Sequence, residues 1–369
     1  MNRSLEIGKI MGIPVRLHWT LLLIILYVAA AFVTFSQDIY GRTYGFGDIE
    51  PQAVRWIYSL AFALILFICV AAHELGHSLI AHRSGVAIKS ITLYFFGGVA
   101  AMEELPRNPG LELKMAFAGP AASGLLGLAF AALSEASAAL SPASALSNLF
   151  WTLGIMNLVL MAFNMLPAFP MDGGRLLRAW FAGRMPYAKA TRLAADIGKI
   201  FATLMFLLGL FYLNFMLIFV AFFVYVGAAE EGRATEISLS LEGIKVADIM
   251  SRQVRDVSPD MTLQELKELM FKEKHRGYPV FEDGVLRGIV TISDLLRVPE
   301  EKRAVTRVGD VMARKLYVIA PDEKASTAMK MMNELQIHRL PVMDGGHLAG
   351  ILSREDLVRA IELSSERGA

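Results

Sequence analysis

Trp56 to Ile80 reads WIYSLAFALILFICVAAHELGHSLI, a run whose first formally charged residue is Glu74. A helix that crosses a bilayer needs ~20 apolar residues, so this stretch is long enough to span lipid while carrying a carboxylate inside it. An ionised side chain at mid-span costs ~3 kcal/mol, which makes an intramembrane Glu a functional candidate by default. His73 and His77 flank it, four residues apart and therefore on one helical face. In an H-E-x-x-H pattern two imidazoles one turn apart can grip one zinc, and the Glu, off their face, suits a base toward a water at the metal. A catalytic zinc takes a third protein ligand, and the candidate is Asp172 in Asn164–Gly174, NMLPAFPMDGG. Two prolines and two glycines break the helix there and could aim the carboxylate inward; the alternative is an ordinary helix-end turn.

Outward from that helix, 55% of the 369 residues are hydrophobic and the mean hydropathy is +0.47, far above soluble proteins. The long apolar runs fall in 17–36, 56–80, 115–133, 147–166 and 197–228. The stretch from Ala188 to Glu230 is too long for one span and is divided near Asn214, which gives about six transmembrane helices. The first run lacks an Ala-x-Ala cleavage site and is expected to be a retained helix. An even number puts both termini on one side. Assigning that side to the cytosol places Arg3, Lys9, Arg16, Arg83, Lys89, Arg107, Lys114, Arg175, Arg178, Arg184, Lys189, Arg192 and Lys199 inside, against Arg42 and Arg55 outside. His77 precedes Arg83 by six residues, so the metal is expected ~9 Å inside the cytosolic boundary. Water must then enter from the cytosol. His18, at the start of the first run, is either a proton carrier or a helix-end anchor, and His82 beside Arg83 reads as solvated.

Ile88–Phe96 is β-prone and ends at Gly97-Gly98. Its backbone must pair with another strand, line a cavity, or await an extended substrate, unless it is a cytosolic surface hairpin. Cys69 is the only cysteine, which excludes an internal disulfide and a cysteine zinc site. No basic run with interleaved aromatics occurs, so no nucleic-acid partner is expected.

After Glu230 the hydropathy collapses and a repeat appears. Val246–Met250 lies on Val308–Met312, Pro279-Val280 on Pro341-Val342, Thr291 on Ser353 and Asp294 on Asp356, always 62 residues apart. Two copies of one soluble α/β unit are expected. Gly288–Asp294 and Gly350–Asp356 close each copy; Ser, Thr and Asp there are also ordinary helix caps.

These motifs together resemble the site-2 proteases, intramembrane zinc metalloproteases, in the version that ends in paired CBS domains. The resemblance rests on the H-E-x-x-H helix, Asn108-Pro109, Ala118-Gly119-Pro120, Asn164–Gly174 and the two C-terminal G-h-h-[ST]-x-x-D segments. It implies one Zn2+ per chain on His73, His77 and Asp172, Glu74 as general base, and Asn164 holding substrate or the developing oxyanion. The β segment would be membrane-associated and line the substrate. It also implies ATP, ADP or AMP on Thr291, Asp294, Ser353 and Asp356, with Asp on ribose and Ser or Thr on phosphate, and a homodimer formed through the CBS domains. The division expected is a transmembrane protease domain over 1–232 and CBS repeats over 241–300 and 301–369. The protein would be a multi-pass cell-membrane protein with cytosolic termini and CBS domains, cutting membrane proteins under nucleotide control. A CBS-gated transporter would space its intramembrane charges along a pathway, whereas here they converge. A zinc-binding scaffold would not need Glu74.

Overall fold

The structure is a computed structural model that describes residues 4–10, 12–39, 41–94, 97–102, 108–141 and 144–366. Arg3, Phe95, Phe96 and Arg107 lie outside these. The chain forms two compact units, Met1–Arg233 and Ala234–Ala369.

The first unit opens with a hairpin, β1 (Ser4–Ile10) and β2 (Ile13–His18), followed by α1 (Thr20–Thr34). A second hairpin, β3 (Ser36–Ile39) and β4 (Arg42–Gly45), precedes the long α2 (Gln52–Arg83). Then come β5 (Ile88–Tyr94), β6 (Gly97–Met102), α3 (Pro109–Leu140) and α4 (Ala145–Asn164). The short α5 (Asp172–Ala182) leads to α6 (Tyr187–Phe211) and α7 (Phe215–Ser240). By length and composition α2, α3, α4, α6 and α7 can cross a membrane. The sixth apolar helix, α1, has 15 residues and is short of the ~17–25 a span takes. The turn dividing the last two helices falls at Tyr212–Asn214, where Asn214 Oδ1 accepts from Leu217 N at 3.0 Å and starts α7.

The strand after α2 is part of more than a local hairpin. β5 pairs parallel with β2 and antiparallel with β6, in a four-stranded sheet of order β1-β2-β5-β6. Ser4–Ile10 and Ile13–His18, ahead of the first apolar helix, therefore supply two strands. Their alternation is visible in β2, where Ile13 and Val15 are buried, but a single six-residue strand gives little periodic signal. Pairing on both sides satisfies the backbone of β5, which leaves β6 as an edge.

The break between α4 and α5 is a buried loop. Ala168, Phe169 and Met171 are at most 3% exposed and pack on Ala194, Ala195, Ala202, Val224 and Ala228 of α6 and α7. This fixes where α5 begins. Arg178 of α5 binds Glu112 of α3 and Glu231 of α7, each at 2.6 Å, tying three helices together.

The second unit runs α8 (Val246–Ile249), α9 (Leu263–Glu273), β7 (Gly277–Glu282), β8 (Val285–Thr291) and α10 (Ile292–Leu296). The second copy is α11 (Val308–Val311), α12 (Ala325–Glu334), β9 (Arg339–Asp344), β10 (His347–Ser353) and α13 (Arg354–Glu366). Isolated bridges obey the repeat with exchange of partners: Ser251 pairs with Ile351 as Ala313 pairs with Ile289, and Lys245 with Lys324 as Arg307 with Thr262. That exchange is a pseudo-twofold. It also crosses the cores, since Val246 packs with Leu340 and Leu352 of the second copy while Val308 packs with Tyr278 and Val290 of the first.

Candidate metal centre and nucleotide cleft

Two helices deliver the candidate metal ligands. His73 and His77 stand one turn apart on α2, and Asp172 is the first residue of α5, placed by the buried loop before it. Asp172 Oδ2 lies 3.2 Å from His73 Nε2 and 3.1 Å from His77 Nε2, and the two Nε2 atoms are 3.2 Å apart. All three residues are buried. Asp172 thus opens a helix rather than capping the preceding span, and the break in Asn164–Gly174 carries it inward.

The hydrogen bonds behind the ligands decide what this triangle can hold. His77 Nδ1 lies 2.7 Å from the Met115 carbonyl, which can only accept, so the proton of neutral His77 is on Nδ1 and its Nε2 presents a lone pair. His73 Nδ1 lies 2.8 Å from Ser123 Oγ, which can accept in the same way. Two imidazole lone pairs and a carboxylate oxygen then face one point, which is repulsive without a cation between them. Donors at ~2.05 Å around a tetrahedral zinc sit ~3.3 Å from one another, close to the spacing here. Among the described residues His73, His77 and Asp172 form the only such group of metal donors. The set fits zinc.

Close backbone approaches surround these ligands. A Cβ on Gly119 of α3 would overlap His77 Nε2 and come within 2.7 Å of His73 Nε2, and one on Gly76 would meet the Ala118 carbonyl at 2.7 Å. Small residues here let α3 pass directly behind the metal ligands. Glu74 is half-buried and outside the ligand triangle, and Gly98 of β6 lies on it so closely that a Cβ would overlap its Cγ. Ser123 and Met115 were not singled out in the sequence, and Gly98 was read there only as the end of a strand. Ser123 carried one usable signal: it lies four residues after Gly119, on the same face of α3.

Asn164 is the last residue of α4 and donates from Nδ2 to the Leu160 carbonyl at 3.0 Å; among the described residues no hydrogen bond joins it to the triangle. His18 Nδ1 is 2.8 Å from Thr20 Oγ1, and its ring lies against Tyr94, at the start of α1.

In the second unit Thr291 and Ser353 occupy equivalent places. Asp294 Oδ2 accepts from Thr291 N at 2.9 Å and Oγ1 at 2.6 Å, and Asp356 Oδ2 accepts from Ser353 N and Oγ at the same distances. Both Asp residues thus cap their helices. Ser353 and Asp356 also line a cavity of about 370 Å³ with Tyr278 and several basic residues. One of these, Arg339, has its guanidinium held below the usual arginine value by burial, with Glu355 opposing and Arg276 reinforcing that effect.

The peptidase family M50 model matches residues 61–142 and 135–207, and the CBS domain model matches 246–301 and 308–363. A zinc metalloprotease of Methanocaldococcus jannaschii is 37% identical over 363 residues, 98% of this chain and 97% of that protein. The solved structure of a site-2 protease from Methanocaldococcus jannaschii is 37% identical and covers 62% of this chain and 95% of its own, with a TM-score of 0.43. The CBS domain-containing protein YhcV of Bacillus subtilis is 39% identical over 114 residues, 30% of this chain and 81% of that protein. The chain belongs to peptidase family M50, the site-2 proteases, and is a multi-pass zinc metalloprotease with paired CBS domains.

Proposed function

We propose that this member of peptidase family M50 hydrolyses peptide bonds within or near the transmembrane segments of membrane proteins, and that an adenine nucleotide on its CBS pair modulates the cut. The observation that carries the reading is the buried triangle that Asp172 of α5 forms with His73 and His77, which stand with Glu74 on a helix long enough to span lipid. Zinc, when bound there, supplies a Lewis acid and lowers the pKa of water. Glu74 takes the water proton on its carboxylate and returns it to the departing amine nitrogen, so it need not be a ligand itself. Met115 and Ser123 hold the imidazoles in the tautomer that leaves Nε2 free.

A helical peptide bond has its carbonyl tied up in the helix, so the substrate must be extended locally. The edge strand β6, which passes over Glu74 at Gly98, offers such a segment backbone partners, and Asn164 is placed near the break that delivers Asp172 to hold substrate or oxyanion. The pairing of β2 with β5, which sets the start of α1 beside the end of α2, and the thirteen basic residues against two support cytosolic termini and a metal centre entered by water from that side. Two chains pair through their CBS modules in this reading, and the Ser353/Asp356 cavity supports nucleotide binding.

The test compares membranes from cells expressing the wild type and Glu74→Gln. Peptide fragments whose new ends lie inside spans of membrane proteins should accumulate with the wild type alone, while both proteins keep their zinc. The same fragments with both, or none with either, would contradict the proteolytic reading.

A further inference from the structure

Asp172 is the one candidate ligand that does not stand on α2, so its distance from His73 and His77 depends on contacts elsewhere in the chain. The first turn of α5 lies directly on the loop before it. A Cβ on Gly173 would overlap the Leu166 carbonyl, and one on Gly174 would come within 2.5 Å of Phe169 N. That loop rests in turn on α6 and α7. A Cβ on Gly227 of α7 would sit 2.5 Å from Pro170 Cδ, two residues before Asp172, and one on Gly198 of α6 would sit 3.2 Å from Ala168 Cα. Backbone meets backbone or a rigid ring at each of these steps, so a displacement of α7 is passed on to Asp172 rather than absorbed.

A buried charge cluster ties the same parts from the other end of α5. Arg178, six residues after Asp172, donates from Nε to Glu112 Oε1 and from Nη1 to Glu231 Oε1, each at 2.6 Å. Its guanidinium also lies 5.1 Å from the centre of the Phe169 ring in the loop. Glu112 is one turn before Met115, whose carbonyl orients His77, and Glu231 is one turn after Gly227 on the same face of α7. One guanidinium thus joins the helix that opens with Asp172, the helix that orients His77 and the helix that presses on the loop. A buried ion cluster gains little net stability over apolar packing of the same volume, whereas its directional bonds fix the register of what they join.

We propose that Arg178 is a positioning residue of the metal centre, and that α7, through Glu231 and Gly227, sets where the Asp172 carboxylate stands relative to the two imidazoles. This rests on the metal centre described above and adds the contacts that hold its third ligand. Among the described residues no hydrogen bond joins Arg178 or Glu231 to the triangle, so they act through α5 and the loop. The methyl of Gly227→Ala must push Pro170 away by roughly 0.9 Å to reach an ordinary contact of ~3.4 Å. Metal–ligand distances hold within about ±0.2 Å, and loss of outer support costs about 10- to 100-fold in metal affinity.

Competition against a chelator measures zinc affinity on the full chain in detergent. The visible absorption of Co2+ in zinc's place, which follows coordination geometry, and the thermal midpoint of the metal-free protein are read alongside. Gly227→Ala and Glu231→Gln should each weaken zinc at least about tenfold and shift the Co2+ bands, and Glu231→Asp should recover part of both. Wild-type affinity and bands in either Gly227→Ala or Glu231→Gln, whatever the midpoint, would overturn the proposal, since a tie that serves the fold alone moves only the midpoint. A wild type that takes up neither metal would overturn the metal centre itself, which is a separate failure.

Discussion

Gly119→Ala separates the metal centre from the stability of the fold, because its two effects have opposite sign. Inside a helix, replacing Gly by Ala should stabilise by ~0.5–1 kcal/mol through lost chain entropy. At position 119 the added methyl would overlap His77 Nε2 and stand 2.7 Å from His73 Nε2, where an ordinary contact is ~3.4 Å. His73 must then move by roughly 0.7 Å and His77 by more, several times the ±0.2 Å within which metal–ligand distances hold. Disturbing the outer support of a site costs 10- to 100-fold in metal affinity, and displacing the ligands themselves should cost at least the upper end, ~2.7 kcal/mol. Competition against a chelator of known affinity measures this on purified protein, with helix content followed by circular dichroism. Expected are intact helices and zinc bound at least 100-fold more weakly. Zinc held as tightly as in the wild type would refute the placement of α3 behind the two histidines.

Other substitutions test the surrounding parts. Ser123→Ala removes the hydroxyl that fixes His73 and should weaken zinc 10- to 100-fold in the same competition, with Ser123→Thr restoring part of it. Gly98→Ala pushes on Glu74 alone, so proteolysis should fall roughly 100-fold with zinc content unchanged, as a ~1 Å misplacement of a catalytic group does. Arg178→Met leaves Glu112 facing a site with no cation and should destabilise the first unit by about 3 kcal/mol, seen as a lower thermal midpoint in detergent; an unchanged midpoint would show that the three-helix tie is not structural.

The grouping of His73, His77 and Asp172 was legible in the sequence because helical spacing and the cost of charge in lipid are local rules. His73, Glu74 and His77 needed only the 3.6-residue turn, and Asp172 needed the Pro/Gly break together with the count of zinc ligands. The repeat was legible to the residue, since the bridges of the second unit keep its 62-residue offset. What escaped was long-range. The pairing of β2 with β5 joins residues more than seventy positions apart, and no local pattern announces it. Ser123 and Met115 matter only because α3 crosses behind α2 at Gly76 and Gly119, a contact between helices rather than a motif. The shortness of α1 was hidden because the apolar run from Leu17 includes residues that the chain uses for the end of β2 and for the two caps of the helix, Trp19 and Phe35.

Zinc per chain, measured by elemental analysis of the detergent-purified protein, reaches the triangle of His73, His77 and Asp172 most directly, because it needs no known substrate. The wild type should carry close to one zinc, and His73→Ala and Asp172→Ala should each lose most of it. A chain without zinc, or zinc that both substitutions leave in place, would contradict a metal centre built from these three residues.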